Sequence, residues 1–117
     1  MKYKDLPYIE HILEAIRDIE ESIHGLSKEE FSQNKDVRDA NIRRLEVIGE
    51  AVKNISHKLR EEYPKIEWNK IAVTRDKIIH HYFGINLEII WAIIKNDLPP
   101  FKKQIQEIKD HLIVKDS

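Results

Sequence analysis

The sequence predicts an all-α fold: an up-and-down bundle of four main helices with one or two short helices, in a single domain spanning residues 1–117. Three observations indicate this class. The 117 residues include only three Gly and four Pro, apolar residues recur at three- and four-residue steps, and no stretch shows the alternation of a strand. A chain of this length is expected to form one domain with a sizeable core.

The first helix is predicted from about Asp5 to His24, with Gly25 at the position of a C-terminal cap. Ser27 is followed three residues later by a glutamate, which is the spacing of a capping box. A short helix is therefore expected there, ending near Asn34. The apolar stripe of the first helix comprises Leu6, Ile9, Leu13, Ile16, Ile19 and Ile23.

The second long helix is predicted to be capped by Asp36 and to continue to Tyr63, where Pro64 stops it. Its apolar face would run unbroken along that length. The residues of that face are Val37, Ala40, Leu45, Ile48, Val52, Ile55 and Leu59.

Three more helical segments are predicted in the second half of the chain. One runs from Glu67 to about Phe83, and Asn86 is the expected cap of the next. The last helix carries Pro99 and Pro100 near its first turn, where their missing N–H groups do little harm. Its apolar stripe is Phe101, Ile105, Ile108 and Leu112.

Composition excludes several classes of function. The absence of cysteine excludes disulfides, thiolate-bound zinc, iron–sulfur clusters and cysteine nucleophiles. The start of the chain lacks the apolar core of a signal peptide. The most apolar stretch, 78–94, is interrupted by polar residues and is not expected to cross a membrane. The sequence therefore predicts a soluble cytoplasmic protein.

The net charge of −1 argues against a broad basic surface for nucleic acid. A nucleic-acid site must then be local, or its charge must be concentrated by oligomerisation. Between Lys65 and Tyr82 the chain has four Lys and Arg against two Asp and Glu. This stretch is the candidate for such a site.

A cluster of polar side chains within that stretch could cleave a phosphodiester. Histidine exchanges protons near neutral pH, and arginine offers a planar fork for phosphate. Attack by an RNA 2′-hydroxyl needs a base, an acid and a cation, and needs no metal ion. Asp76, four residues before His80, could orient that imidazole. The cluster comprises Arg75, Asp76, Lys77, His80, His81 and Tyr82.

Helix geometry favours a site shared by two copies of the chain. Arg75 and His80 point about 140° apart on one straight helix, so two such helices facing each other across a dimer cleft would present both groups. A plain polar helix face is the alternative. A histidine metal site is disfavoured, because His80 and His81 diverge by about 100° and no His-x3-His spacing occurs.

The stretch Arg75–Tyr82 resembles the Arg-x4-His-x-Tyr motif of the HEPN superfamily, specifically of HepT-like toxins. The stretch Asn41–Ala51 is similar to the helix that these proteins carry upstream of the motif. The resemblance extends over about residues 5–112. It implies a HEPN-like helical homodimer whose paired motifs form a metal-independent endoribonuclease without a cofactor.

The resemblance also implies roles for individual residues. Arg75 and His80 would be the catalytic pair, and the RNA substrate would lie between the two protomers. A nucleotidyltransferase antitoxin would bind the toxin, in a larger hetero-oligomer in some cases, and adenylylate Tyr82. The family commonly has Asn where this chain has Asp76. The substitution keeps the hydrogen-bonding shape, adds a negative charge, and could raise the proton affinity of His80 or weaken RNA binding.

Four further residues are candidate RNA contacts: Lys77, His81, Arg43 and Arg44. Arg43 and Arg44 could equally form surface ion pairs with glutamates at i,i+3 spacing. Two other functions remain open. The chain could be a non-catalytic subunit that presents a nucleotide or substrate to a nucleotidyltransferase, or a dimerising bundle without a ligand. The remaining histidines, His11, His24, His57 and His111, are expected to face solvent.

Overall fold

All regular elements in the computed structural model, which describes residues 4–73 and 86–116, are helical. The prediction of an all-α fold is confirmed. None of the helices in this part of the chain is long and apolar enough to span a bilayer. In chain order the helices are α1 (Leu6–Ile23), α2 (Lys28–Gln33), α3 (Lys35–Lys53), α4 (His57–Glu62), α5 (described over 68–73), α6 (Leu87–Ala92) and α7 (Leu98–Asp116), and a π-helical turn, Ile93–Asp97, joins α6 to α7.

Helix α1 lies at the centre of the bundle and packs against both α3 and α7. Its apolar residues return every three or four positions, so a single stripe faces both neighbours. Each buried Ile or Leu contributes about 1.5–3 kcal/mol relative to an exposed one. The fully buried members of the stripe are Ile9, Ile12, Leu13, Ile16 and Ile19.

The signals at Gly25 and Ser27 form the structures that they predict. Gly25 has φ +78° after the end of α1, a conformation that costs an L-residue about 1–2 kcal/mol. The Ser27 hydroxyl accepts a hydrogen bond from the Glu30 amide at 3.1 Å, and the Glu30 carboxylate accepts one from the Ser27 amide at 3.0 Å. This capping box starts α2 and places Phe31 in the core, 5.2 Å from the Trp91 ring.

The cap predicted for α3 is wrong by two residues. Asn34, not Asp36, accepts the hydrogen bond from the Val37 amide, at 3.1 Å. Asp36 instead lies in the first turn of the helix, where its negative charge interacts favourably with the helix dipole. Both residue types suit the cap position, so their identity alone does not decide between them.

The prediction of one helix up to Tyr63 is also wrong, because α3 ends at Lys53 and α4 begins at His57. The buried Asp5 carboxylate accepts hydrogen bonds from the Ser56 amide at 2.8 Å and from the Ser56 hydroxyl at 2.7 Å. The same hydroxyl accepts the Leu59 amide at 3.2 Å and caps α4. An amide bonded to Asp5 cannot continue the α3 ladder, and the helix therefore stops.

The last two predicted helices are joined without a loop. Asn86 caps α6, as predicted, and the Leu98 amide donates to the carbonyl of Ile93, five residues earlier. A proline ring collides with the carbonyl one turn before it in a regular α-helix. The wider π turn lets the chain enter α7 directly before Pro99 and Pro100.

Only the beginning of the helix predicted over Glu67–Phe83 can be compared with the structure. Residues 68–73 are helical, with Trp68 buried and Ile71 and Ala72 half-buried against the core. The rest of that helix lies outside the described residues.

Replacing Asp5 tests the Asp5–Ser56 junction. Asp5→Ala leaves the Ser56 amide without its acceptor, and we expect the free energy of unfolding to fall by about 2–3 kcal/mol. Ser56→Ala should cost about 1–2 kcal/mol, and the double variant should cost less than the sum because both changes remove the same contact. Urea unfolding followed by circular dichroism measures these values.

The control for this experiment is Glu10→Ala, at an exposed position on α1. It should change the free energy of unfolding by no more than about 0.5 kcal/mol. Equal effects of Asp5→Ala and Glu10→Ala would contradict the role given to the junction.

Candidate functional site

The motif predicted to carry the chemistry lies outside the described residues. This applies to Arg75, Asp76, Lys77, His80, His81 and Tyr82, all within 74–85. Their roles therefore stay predictions. The structure describes the helix that leads into this segment, the helix that follows it, and the two upstream arginines.

The helix that precedes the motif is attached to the core through Trp68. The indole Nε1 of Trp68 donates a hydrogen bond to the Tyr63 carbonyl at 3.1 Å. Its ring meets Phe101 of α7 edge-on, with centroids 6.4 Å apart. The hydrogen bond of the indole and the contact of its ring with Phe101 together fix the start of α5 on the bundle.

Tyr63 links the same turn to α7. Its hydroxyl lies 2.8 Å from Nδ1 of the exposed His111. Burial, together with the negative charges of Glu62 and Glu107, raises the pKa of Tyr63 above its ordinary value. The phenol thus stays neutral at physiological pH, and its hydrogen bond with His111 ties the turn to α7. The other three histidines outside the motif are exposed, as predicted: His11, His24 and His57.

The helix that follows the motif is anchored in the same way. The Asn86 side chain accepts hydrogen bonds from the Glu88 amide at 2.9 Å and the Ile89 amide at 3.4 Å. One turn later, Trp91 packs on Phe31 and carries Lys95 over its ring at 5.4 Å. The motif segment therefore connects two helices that are both fixed to one core.

Arg43 pairs with a glutamate of its own helix. Its Nη1 lies 3.6 Å from the Glu46 carboxylate, at the i,i+3 spacing. It lines a surface groove of about 260 Å³ that also contains Glu46 and Glu50. Two carboxylates beside one arginine make this groove unfavourable for an RNA phosphate.

Arg44 differs from Arg43 because a neutral group holds it. Its Nη1 donates to Oδ1 of Asn41 at 3.0 Å, and the Ser22 hydroxyl of α1 lies 3.0 Å from the same oxygen. Asn41 is fully buried, and no described residue accepts a hydrogen bond from its Nδ2. The guanidinium is oriented by this amide and keeps its full positive charge.

The importance of Asn41 was not predicted, although the sequence contains a signal for it. Asn41 occupies the apolar stripe of α3, four residues after Val37 and four before Leu45. A polar residue at such a position must find a hydrogen-bond partner inside the protein. Here the partners are Ser22 and Arg44.

No metal centre is visible in the part of the chain that the structure describes. No group of three or more His, Asp or Glu residues there is arranged to hold a metal ion.

Comparison with known proteins gives a consistent match. Residues 12–108 match the family model described as "Ribonuclease HepT-like". The chain is 45% identical over 102 residues to "Putative RNase TTE0752" of Caldanaerobacter subterraneus, covering 87% of this chain and 91% of that protein. It is 39% identical over 109 residues to "Probable ribonuclease HepT" of Thermococcus cleftensis, covering 93% and 99%.

A third relative, "Putative RNase MJ0127" of Methanocaldococcus jannaschii, is 46% identical over 109 residues, covering 92% of this chain and 90% of that protein. No solved structure gave a significant match.

Proposed function

Because the chain belongs to the HepT-like ribonuclease family, we propose that it is an endoribonuclease and acts as the toxin of a toxin–antitoxin pair. The observation that carries this proposal is the extent of the family match. It runs from residue 12 to residue 108 and so includes both Asn41–Ala51 and Arg75–Tyr82.

Arg75 and His80 are the proposed catalytic pair. His80 would accept the proton of the attacking 2′-hydroxyl or donate a proton to the leaving 5′-oxygen. Arg75 would stabilise the negative charge that develops on the phosphate. Attack by the 2′-hydroxyl breaks the bond from phosphorus to the 5′-oxygen and leaves a 2′,3′-cyclic phosphate. Asp76 is positioned in the sequence to orient His80 from one turn away.

We place this site between two protomers. On one straight helix Arg75 and His80 diverge by about 140°, so one phosphate is reached most directly by Arg75 of one copy and His80 of the other. In a symmetric dimer the same cleft then contains two such pairs.

The antitoxin is proposed to be a nucleotidyltransferase that transfers an adenylyl group to Tyr82. The added phosphate carries a negative charge close to Arg75 in the sequence. Repulsion of the RNA phosphate, together with the bulk of the nucleotide, would block the site.

Substituting the catalytic pair tests the site. We expect Arg75→Ala to lower the cleavage rate at least about 10²-fold, and His80→Ala about 10²–10⁴-fold, because each removes a group that acts in the transition state. The assay uses labelled RNA with EDTA present and identifies the product ends. Lys103→Ala, at an exposed position on α7, is the control and should cleave at the wild-type rate.

Mixing the two inactive variants tests the shared cleft. If each phosphate is held by Arg75 of one protomer and His80 of the other, random re-pairing should restore about a quarter of the wild-type activity. No recovery would show that each protomer works alone. RNA that is bound but left intact by the wild type would instead favour the non-catalytic binding subunit.

Replacing Tyr82 tests the inhibition. Tyr82→Phe removes the acceptor hydroxyl, and this variant should stay active when the nucleotidyltransferase and ATP are present, whereas the wild type loses activity. Intact mass spectrometry measures the modification. Equal inhibition of both proteins would place the regulation elsewhere.

The two upstream arginines should contribute unequally to RNA binding. Arg44→Gln removes an oriented cation, and we expect the slope of log Kd against log salt to decrease by about 0.7 for the phosphate contact that is lost. Arg43→Gln removes a cation whose charge Glu46 partly offsets, in a groove that also contains Glu50, and should change the slope less. Fluorescence anisotropy with a 2′-O-methyl RNA measures both. A larger effect of Arg43→Gln would reverse this assignment.

A further inference from the structure

An open cavity of about 540 Å³ lies between α4 and the start of α5. Its polar lining comes from His57 and Arg60 on α4, Glu67 before α5, and Asn69 and Lys70 on α5. The volume is within the range of small-ligand pockets and exceeds the space that one phosphate needs. None of these side chains belongs to the proposed catalytic motif.

Arg60 is the unusual residue of this cavity. It is half-buried, its Nη2 donates to the Val52 carbonyl, and its Nε is shielded from solvent without a partner among the described residues. Val52 lies in the last turn of α3, so its carbonyl offers the cation only the partial negative charge of a helix end. No described carboxylate forms an ion pair with Arg60, whereas Arg38 and Arg43 have Asp39 and Glu46. Within the described part of the chain, the cavity can therefore accept an anion beside Arg60.

The other charges of the lining agree with an anionic ligand. Lys70 pairs with Glu67 at 3.5 Å, and both side chains are more than half exposed. Such a surface pair is weak and can rearrange when a ligand competes for the lysine. Arg60 and Lys70 give the lining two positive charges against the one negative charge of Glu67, although the whole chain has a net charge of −1.

The cavity lies close to the proposed catalytic segment along the chain. Lys70 precedes Arg75 by five residues, so covalent geometry keeps their Cα atoms within about 18 Å. A single RNA strand that reaches the Arg75 site can therefore extend to this cavity over a few nucleotides.

We propose that the cavity between α4 and α5 is an accessory site that binds a backbone phosphate of the single-stranded RNA substrate, through Arg60, Lys70 and His57. The proposal rests on the proposed ribonuclease function. The cavity holds the strand at a phosphate away from the scissile bond. It therefore acts on RNA binding and not on the chemical step.

Charge reversal at the cavity provides the test. Lys70→Glu and His57→Glu should each raise the Kd for a 2′-O-methyl RNA about three- to tenfold and lower the slope of log Kd against log salt. A glutamate at position 57 lies in the first turn of α4, which tolerates a negative charge. In cleavage assays both variants should raise KM and leave kcat unchanged.

Lys58→Glu is the matched control. Lys58 is an exposed residue of α4 that does not line the cavity, and its reversal changes the net charge as much as Lys70→Glu does. We expect its Kd to stay within about twofold of the wild type, since long-range charge effects are screened by salt. Equal weakening by Lys58→Glu and Lys70→Glu would overturn the proposal.

Arg60→Met separates a binding role from a structural role. The variant should fold, as judged by circular dichroism, and bind the same RNA more weakly. Unchanged RNA binding would show that Arg60 only supports the end of α3, and would overturn its place in the site.

Inorganic phosphate distinguishes an RNA site from a site for a free anion. If phosphate raises the melting temperature of the wild type but not of Lys70→Glu, while both bind RNA equally, the cavity takes a free anion and the proposal is wrong. If the wild type cleaves RNA and the cavity variants bind and cleave it equally well, the accessory site is wrong and the ribonuclease function stands. If the wild type neither binds nor cleaves RNA, both the accessory site and the proposed function are wrong.

Discussion

The bonds between Asp5 and Ser56 fix the chain at the point where α3 ends and α4 begins. They bring the start of α1 to a residue 51 positions later in the chain and end α3 there. Without them the apolar stripe of α3 could continue through Leu59 as one helix. The break redirects the chain into α4, and the position of α4 sets that of Trp68, of α5 and of the cavity beside Arg60. One buried carboxylate therefore helps to set the position of α4 and of the cavity beside it.

Most of the local contacts of this fold can be predicted from the sequence, although at the start of α3 two suitable cap residues lie close together and Asn34, not the predicted Asp36, is the cap. Three such features are the turn at Gly25, the capping box at Ser27 and the cap at Asn86. Each depends on residues within one helical turn, so a short sequence pattern is enough to predict it. The end of α3 depends on Asp5, and no pattern around Ser56 reveals so distant a partner. For the site, the motif was recognised by resemblance. The difference between the arginines could not be predicted from the sequence, because it depends on which groups contact each guanidinium in the fold.

The contacts of the arginines explain how a nearly neutral chain can act on RNA. Arg43 and Arg38 each have a carboxylate within 3.8 Å, which offsets part of their positive charge. Among the described residues, Arg44 and Arg60 are half-buried and donate hydrogen bonds to neutral oxygens only. A count of charges treats the four alike, yet the last two retain more of their attraction for an anion. Affinity for RNA in this protein should thus depend on a few oriented cations and not on its net charge.

This distribution of cations separates binding from catalysis. A group that contacts the substrate equally in the ground state and the transition state lowers KM without raising kcat, whereas a group that stabilises only the transition state raises kcat. Arg60 and Lys70 lie on helices of the bundle, and the Val52 carbonyl holds Arg60 in place without RNA. They are therefore suited to binding the RNA equally in the ground state and the transition state. If Tyr82 is adenylylated as proposed, RNA would be repelled from the catalytic cleft, and the accessory site would account for whatever RNA binding the modified protein retains.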